Sequence, residues 1–122
     1  MKKWFGVICV LLLSVVILGC SNGNDETEQN IVQVYYINRD ETAIVPVAYS
    51  LMSEDSGNAV EELIEEMKTD PEENELKPVI SAGMEIYSCR LNEDKLIIDF
   101  AKTYKDMPPT TEILVRAAIV RT

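Results

Sequence analysis

The stretch IVQVYYI, residues 31–37, decides the fold of this chain of 122 residues. It consists mostly of β-branched and aromatic side chains, which indicates a β-strand. A polar turn at 38–41 separates it from a second apolar stretch at 43–52, so the two stretches predict a hairpin. Pro46 lies inside the second stretch and has no N–H to donate, which predicts that this strand lies at a sheet edge.

A helical pattern follows the hairpin. Asn58 followed by Glu61 resembles a capping box, and apolar residues then recur at helical spacing as far as Met67. The helix is expected to end near Thr69, ahead of an acidic loop at 70–78. Four acids are expected on its solvent face: Glu61, Glu62, Glu65 and Glu66.

A second pair of strands and a second helix complete the pattern. Residues 85–91 and 95–100 have the composition of strands and flank a turn at 92–94. Their expected core-facing residues are Tyr87, Cys89 and Leu91 in the first strand, and Leu96, Ile98 and Phe100 in the second. Thr110 is the predicted N-cap of the second helix. The predicted apolar stripe of that helix is Ile113, Leu114, Ala117 and Val120.

Together these elements predict an α+β fold in the order ββαββα. We expect a two-layer arrangement in which an antiparallel sheet of about four strands packs against two helices on one face. The second helix still has its helical pattern at Thr122. The domain, residues 31–122, is therefore expected to be incomplete at its C-terminus and to lack its last strand.

The first 20 residues have the pattern of a bacterial lipoprotein signal. A cationic start precedes an apolar run at 4–17, and small Gly19 precedes Cys20. We expect residues 1–19 to be removed as a signal peptide, Cys20 to carry a lipid, and residues 20–30 to form a flexible tether. This lipid would anchor the protein at the extracytoplasmic face of the cell membrane. An ordinary secretory signal or a retained membrane helix is the alternative.

The net charge and the residue types of the sequence limit the classes of function that are expected. Once Lys2 and Lys3 leave with the signal, 9 basic residues face 21 acidic ones, which leaves a net charge of −12. Such a surface repels nucleic acid, so a nucleic-acid partner is not expected. The sequence has no His, and no phosphate-binding loop or nucleophile elbow is found. We therefore expect no catalytic residues, no cofactor and no metal.

Three tyrosines of the first hairpin are candidate partner-binding residues: Tyr35, Tyr36 and Tyr49. Adjacent strand residues point to opposite faces, so one of Tyr35 and Tyr36 is expected to be exposed. An exposed tyrosine can anchor a protein partner. Cross-strand packing is the alternative role.

The order of these segments resembles that of GerMN domains, which are named for the spore germination protein GerM. The matching segments are VYYIN at 34–38, IVPV at 44–47, VEEL at 60–63, Leu76 with VISAG at 79–83, IIDF at 97–100 and AIVRT at 118–122. The resemblance covers roughly residues 31–122. It implies a non-catalytic envelope module that is associated with sporulation or spore germination and assembles with a protein partner. The alternative is a lipoprotein that binds a small ligand or cell-wall glycan.

Overall fold

The computed structural model describes residues 29–122, and Cys20 lies outside them. The mixed α+β class and the order ββαββα are confirmed, with a two-residue strand and a 3-10 helix added between the main elements. In chain order the elements are β1 (Asn30–Asn38), β2 (Ile44–Leu51), α1 (Ser56–Lys68), β3 (Leu76–Lys77), β4 (Ile86–Asn92), β5 (Lys95–Phe100), a 3-10 helix (Lys102–Asp106) and α2 (Pro109–Arg121). No helix among the described residues is both long and apolar enough to cross a membrane.

The strands are antiparallel, but they are divided between two sheets, so the prediction of a single sheet of about four strands was wrong. β1 lies between β2 and β3 in a three-stranded sheet, and β4 pairs with β5 in a separate two-stranded sheet. The chain between β3 and β4 contributes apolar side chains to the core: Val79, Ile80 and Met84 are all less than a tenth exposed. This loop therefore forms part of the hydrophobic core.

The hairpin β1–β2 is confirmed, with Ile37 opposite Ile44 and Asn30 opposite Leu51. β2 lies at the sheet edge, as Pro46 predicted. Within the turn, the Asn38 side-chain oxygen accepts the backbone N–H groups of Thr42 and Ala43, both at 2.9 Å. These bonds stabilise the polar turn that the sequence indicated.

Strand β1 is buried on both faces. Val34 and Tyr36 point to one side and Ile37 to the other, and each is at most 2% exposed. The two helices contact side chains on opposite faces of this strand. Tyr36 bonds to α1, whereas the ring of its neighbour Tyr35 lies under Arg121 of α2. The helices therefore lie on opposite faces of β1, rather than on one face as predicted, and β1 is the centre of the core.

Both predicted helix caps were wrong. Asp55, rather than Asn58, caps α1: its Oδ2 accepts the N–H groups of Gly57 at 3.0 Å and Asn58 at 3.2 Å. The helix therefore begins nearly one turn earlier than the capping-box pattern indicated. Pro108 is the N-cap of α2 and makes no side-chain bond, so Pro109 is the first helical residue. Thr110 lies inside the helix, because the fixed φ of proline already suits that first position.

A β-bulge corrects the predicted inner face of β4. The register shifts between Ile86 and Ser88, so Tyr87 is 65% exposed while Ile86 packs against the core. The bulge inserts one extra residue, so the side chains before it point to the opposite face from the one that strict alternation predicts. Cys89 packs on the core as predicted. Leu91 and Leu96, at 39% and 41% exposed, extend beyond it.

The predicted stripe of the second helix was also wrong in part. Val115 and Ala118 are the buried residues of α2, and Leu114 packs beside them. Ile113 and Val120 are instead 66% and 85% exposed. Nearly every position from 113 to 120 is apolar, so periodicity could not identify the buried side of this helix.

Candidate functional site

Two of the three candidate tyrosines bond to carboxylates of α1. The Tyr36 hydroxyl donates to Glu66 Oε1 at 2.5 Å, and the Tyr49 hydroxyl donates to Glu62 Oε1 at 3.0 Å. The ring of Tyr36 is buried, whereas Tyr49 is half-buried. The structure thus brings Tyr36 and Tyr49 together on the side of the hairpin that α1 covers.

Tyr35 is half-buried and lies apart from the other two tyrosines. The Arg121 guanidinium carbon lies 5.4 Å from the centre of its ring, within the range of a cation–π contact. Its backbone N–H donates to Thr122 Oγ1 at 3.1 Å. Tyr35 therefore ties the C-terminal turn of α2 to β1.

Glu62 holds together the connection between β2 and α1. Besides Tyr49, it accepts the backbone N–H of Met52 at 2.9 Å and that of Ser53 at 2.8 Å. These donors favour the ionised carboxylate, and the bond from Met52 contributes most to lowering the pKa of Glu62 to about 2. The pKa of Tyr36 is raised, first by burial and then by its bond to Glu66.

The expectation that all four acids of α1 face solvent was therefore wrong for Glu62 and Glu66, which are half-buried. Glu61 and Glu65 are exposed, and Glu65 pairs with Lys68 at 2.6 Å. Glu62 and Glu66 are four residues apart, so they share one side of the helix. Glu61 and Glu65 have the same spacing, so the sequence showed two pairs of acids on different sides of the helix but not which pair meets the hairpin.

A second polar cluster joins the β1–β2 turn to β3 and α2. The Glu41 carboxylate pairs with the Lys77 ammonium and accepts the Thr111 hydroxyl at 3.0 Å. Both partners lower the pKa of Glu41, and Lys77 contributes more. Beside this cluster lies an open pocket of about 420 Å³ with apolar walls that include Ile37 and Met84. The sequence did not indicate this cluster, because its members lie far apart along the chain.

The β4–β5 hairpin exposes an apolar surface. Its exposed side chains are Tyr87 at 65%, Leu91 at 39%, Leu96 at 41% and Ile97 at 42%. Cys89 lies on the inner side, where burial raises the pKa of its thiol. The strand register places Leu91 and Leu96 on the same face as Cys89, whereas Ile97 lies on the outer face, where Tyr87 is also exposed. We call Tyr87 and Ile97 the hairpin patch. Exposed apolar side chains on one face of a hairpin can contribute to an interaction site.

The family of the chain follows from comparison with known proteins. The model of the Germane family, described as sporulation and spore germination, matches residues 33–122. The chain therefore belongs to the Germane family, and the predicted GerMN-like domain is confirmed. No curated protein and no solved structure matches the chain.

Proposed function

We propose that this protein is a membrane-anchored envelope lipoprotein whose Germane domain is a non-catalytic binding module in sporulation or spore germination. The family description supports the process. The lipid on Cys20 and the extracytoplasmic location rest on the sequence that ends in Ile17-Leu18-Gly19-Cys20. The hairpin patch carries the binding role, because a protein partner would remove its apolar side chains from water.

Anchoring can be tested by labelling cells that express the full chain with radioactive palmitate. We expect label on the wild-type protein and recovery in the membrane fraction. Cys20→Ala should carry no label and leave that fraction. A matched Ser21→Ala variant should behave as the wild type does. Label that persists on Cys20→Ala would contradict lipidation at this residue.

The binding role can be tested in the natural host. Disrupting the gene should lower the yield of heat-resistant spores or their germination rate. The wild-type gene should restore both, whereas Tyr87→Ser with Ile97→Ser should not. The control replaces two exposed apolar residues of α2, Ile113→Ser with Val120→Ser, and should restore both.

A photo-crosslinker identifies what contacts the patch. Placed at position 87 in the full chain, it should yield one discrete adduct with another envelope protein, and placed at position 113 it should not. Adducts of equal yield at both positions, together with full complementation by the Tyr87→Ser and Ile97→Ser variant, would refute this binding role.

The pocket beside Glu41 favours a second candidate function, binding of a small ligand or cell-wall glycan. Its volume of about 420 Å³ is within the usual range for ligand sites. Ser81 is exposed and lines the pocket. If this function holds, the protein is retained on purified peptidoglycan, and Ser81→Trp, which fills the pocket, abolishes retention. Absence of retention for the wild type would remove this candidate.

A further inference from the structure

A groove lies between the β1–β2 turn and the acidic loop that follows α1. Its volume is about 410 Å³. The half-buried Val45 and Val47 and the buried Leu76 provide an apolar floor. The groove is also lined by Asp40, Glu73 and Glu75, which are exposed and form its rim. We call it the turn groove.

The rim carboxylates are available to an external cation. Within residues 29–122 the three salt bridges are Glu65–Lys68, Glu41–Lys77 and Glu112–Arg116, so none involves the rim. The one basic residue of the groove, Arg39, is already bonded to the acidic loop. Its Nε donates to the Asn74 carbonyl, and its backbone N–H donates to the Glu75 carbonyl at 2.9 Å.

The net charge of the domain is concentrated in a segment whose C-terminal end lines this groove. Residues 54–75 contain 10 acidic residues and 1 basic residue, whereas the rest of the described chain contains 8 of each. The entire net charge of −9 in residues 29–122 therefore belongs to α1 and its flanking loops. A concentration of charge of one sign attracts partners of the opposite charge.

We propose that the turn groove binds a lysine- or arginine-bearing segment of the protein partner. An aliphatic stem fits the floor of Val45, Val47 and Leu76, because lysine and arginine bury their methylene groups on apolar surfaces while the charged head stays in water. The head then lies among the carboxylates of the rim. This inference rests on the proposed binding function and specifies the chemistry of the partner.

A bare metal ion fits the groove less well than a side-chain cation. Among residues 29–122, no three carboxylates converge closely enough to hold a metal ion. The rim carboxylates instead surround an apolar floor, which a hydrated ion does not use. A side chain with an apolar stem and a charged end uses both features.

The test measures binding of fluorescent peptides to the full-length protein by anisotropy. The probe is a capped peptide in which Lys alternates with Val. One comparison peptide replaces Lys by glutamine. A second replaces Lys by diaminobutyric acid, which keeps the ammonium but shortens the stem by two methylenes. We expect binding of the lysine peptide, at least about fivefold weaker binding of the diaminobutyric acid peptide, and no binding of the glutamine peptide.

Protein variants locate the site. Glu73→Gln with Glu75→Gln should weaken binding of the lysine peptide by about fivefold to tenfold, since each exposed ion pair contributes up to about 1 kcal/mol. The control, Glu54→Gln with Glu61→Gln, removes the same charge from exposed positions outside the groove. This control should weaken binding by less than about twofold, because salt screens the attraction between the peptide and charges that lie outside the groove.

Equal weakening by the two double variants would overturn the proposal, since it would show attraction by the general field alone. Equal affinity for the lysine and diaminobutyric acid peptides would also overturn it, because the floor would then have no role. Absence of lysine-peptide binding would overturn it outright. The spore and crosslinking experiments report separately on the proposed function: if the Glu73→Gln and Glu75→Gln variant restores spore formation while the hairpin-patch variant does not, the binding function stands without the turn groove.

Discussion

At the scale of single residues, buried hydroxyls paired with carboxylates connect the hairpin to α1. Tyr36 is 2% exposed, and its hydroxyl donates to the half-buried Glu66. A polar group that is removed from water stabilises the fold only if it finds a partner. The pairing therefore aligns α1 with β1 and also packs a large aromatic ring into the core.

Tyr36→Phe is expected to lower the free energy of unfolding by about 1 kcal/mol. The ring and its packing remain, but the bond to Glu66 is lost, and the half-buried carboxylate can recover part of it from water. Urea denaturation followed by circular dichroism measures the change. Tyr87→Phe is the matched control and should change the free energy by less than about 0.5 kcal/mol, because Tyr87 is 65% exposed. A similar loss in both variants would contradict the role of the Tyr36 hydroxyl.

The ionisation of Glu62 should make a pH-dependent contribution to the free energy of unfolding. Its pKa of about 2 in the fold is below the ordinary value of 4.5, so the ionised form is favoured by folding. The contribution is present above about pH 4.5 and is lost as the pH falls toward 2. Glu62→Gln should therefore be clearly less stable than the wild type at pH 7, and the difference should shrink below pH 4.5.

Urea midpoints of wild type and variant between pH 7 and pH 3 measure that difference. Glu61→Gln removes the same charge from an exposed position one residue earlier, and it serves as the control. A difference between Glu62→Gln and the wild type that is constant over this range would contradict the role of the carboxylate as acceptor for Met52 and Ser53.

At the scale of elements, helix ends depend on local side-chain bonds that the sequence offers in more than one place. Asp55 and Asn58 are both suitable N-cap residues and lie three positions apart. The structure uses Asp55, because the chain that leaves β2 is held at Met52 and Ser53 by Glu62. The tertiary bond to Glu62 therefore selects where α1 begins.

Asp55→Ala should destabilise the domain by about 1 kcal/mol, the usual effect of removing an N-cap side chain. Asn58→Ala should leave stability unchanged or slightly higher, since alanine has the better helix propensity and Asn58 makes no side-chain hydrogen bond within the described residues. Thermal unfolding of both variants measures the effects. The reverse order of stabilities would show that Asn58 is the cap.

At the scale of the whole molecule, the net negative charge lies in residues 54–75, which we call the acidic segment, while the remainder of residues 29–122 carries equal numbers of acidic and basic residues. Like charges on exposed side chains repel one another, and folding brings them closer together. Salt screens this repulsion over distances of about 10 Å at 0.1 M. The fold must therefore offset a repulsion that is confined to α1 and its flanking loops.

Raising NaCl from about 20 mM to about 500 mM should raise the melting temperature by a few degrees. Glu72→Gln with Glu73→Gln should reduce this response, because it removes two exposed charges from the acidic segment. Glu85→Gln with Glu93→Gln removes two charges from outside that segment and should preserve the response. Differential scanning calorimetry measures all three proteins. A melting temperature that falls with salt would contradict net repulsion.

The class, the order of the elements and the β1–β2 hairpin could be predicted from the sequence alone, because they depend on patterns that are local along the chain. The β-branched and aromatic stretch at 31–37, the polar turn and Pro46 are each local signals that extend over only a few residues. The segments that resemble the family are likewise local stretches of sequence. Their order and spacing were already visible before any contact between them was known.

Only the tertiary structure decided which sides of the elements are buried and which polar groups meet. The bulge at Tyr87 changed which residues at the start of β4 face the core. Because α2 is apolar at nearly every position, packing against the rest of the domain selects its buried side. Glu41, Lys77 and Thr111 converge from positions up to 70 residues apart. The physical reason is that periodicity describes one element, whereas burial and pairing depend on the surfaces that two or more elements present to each other.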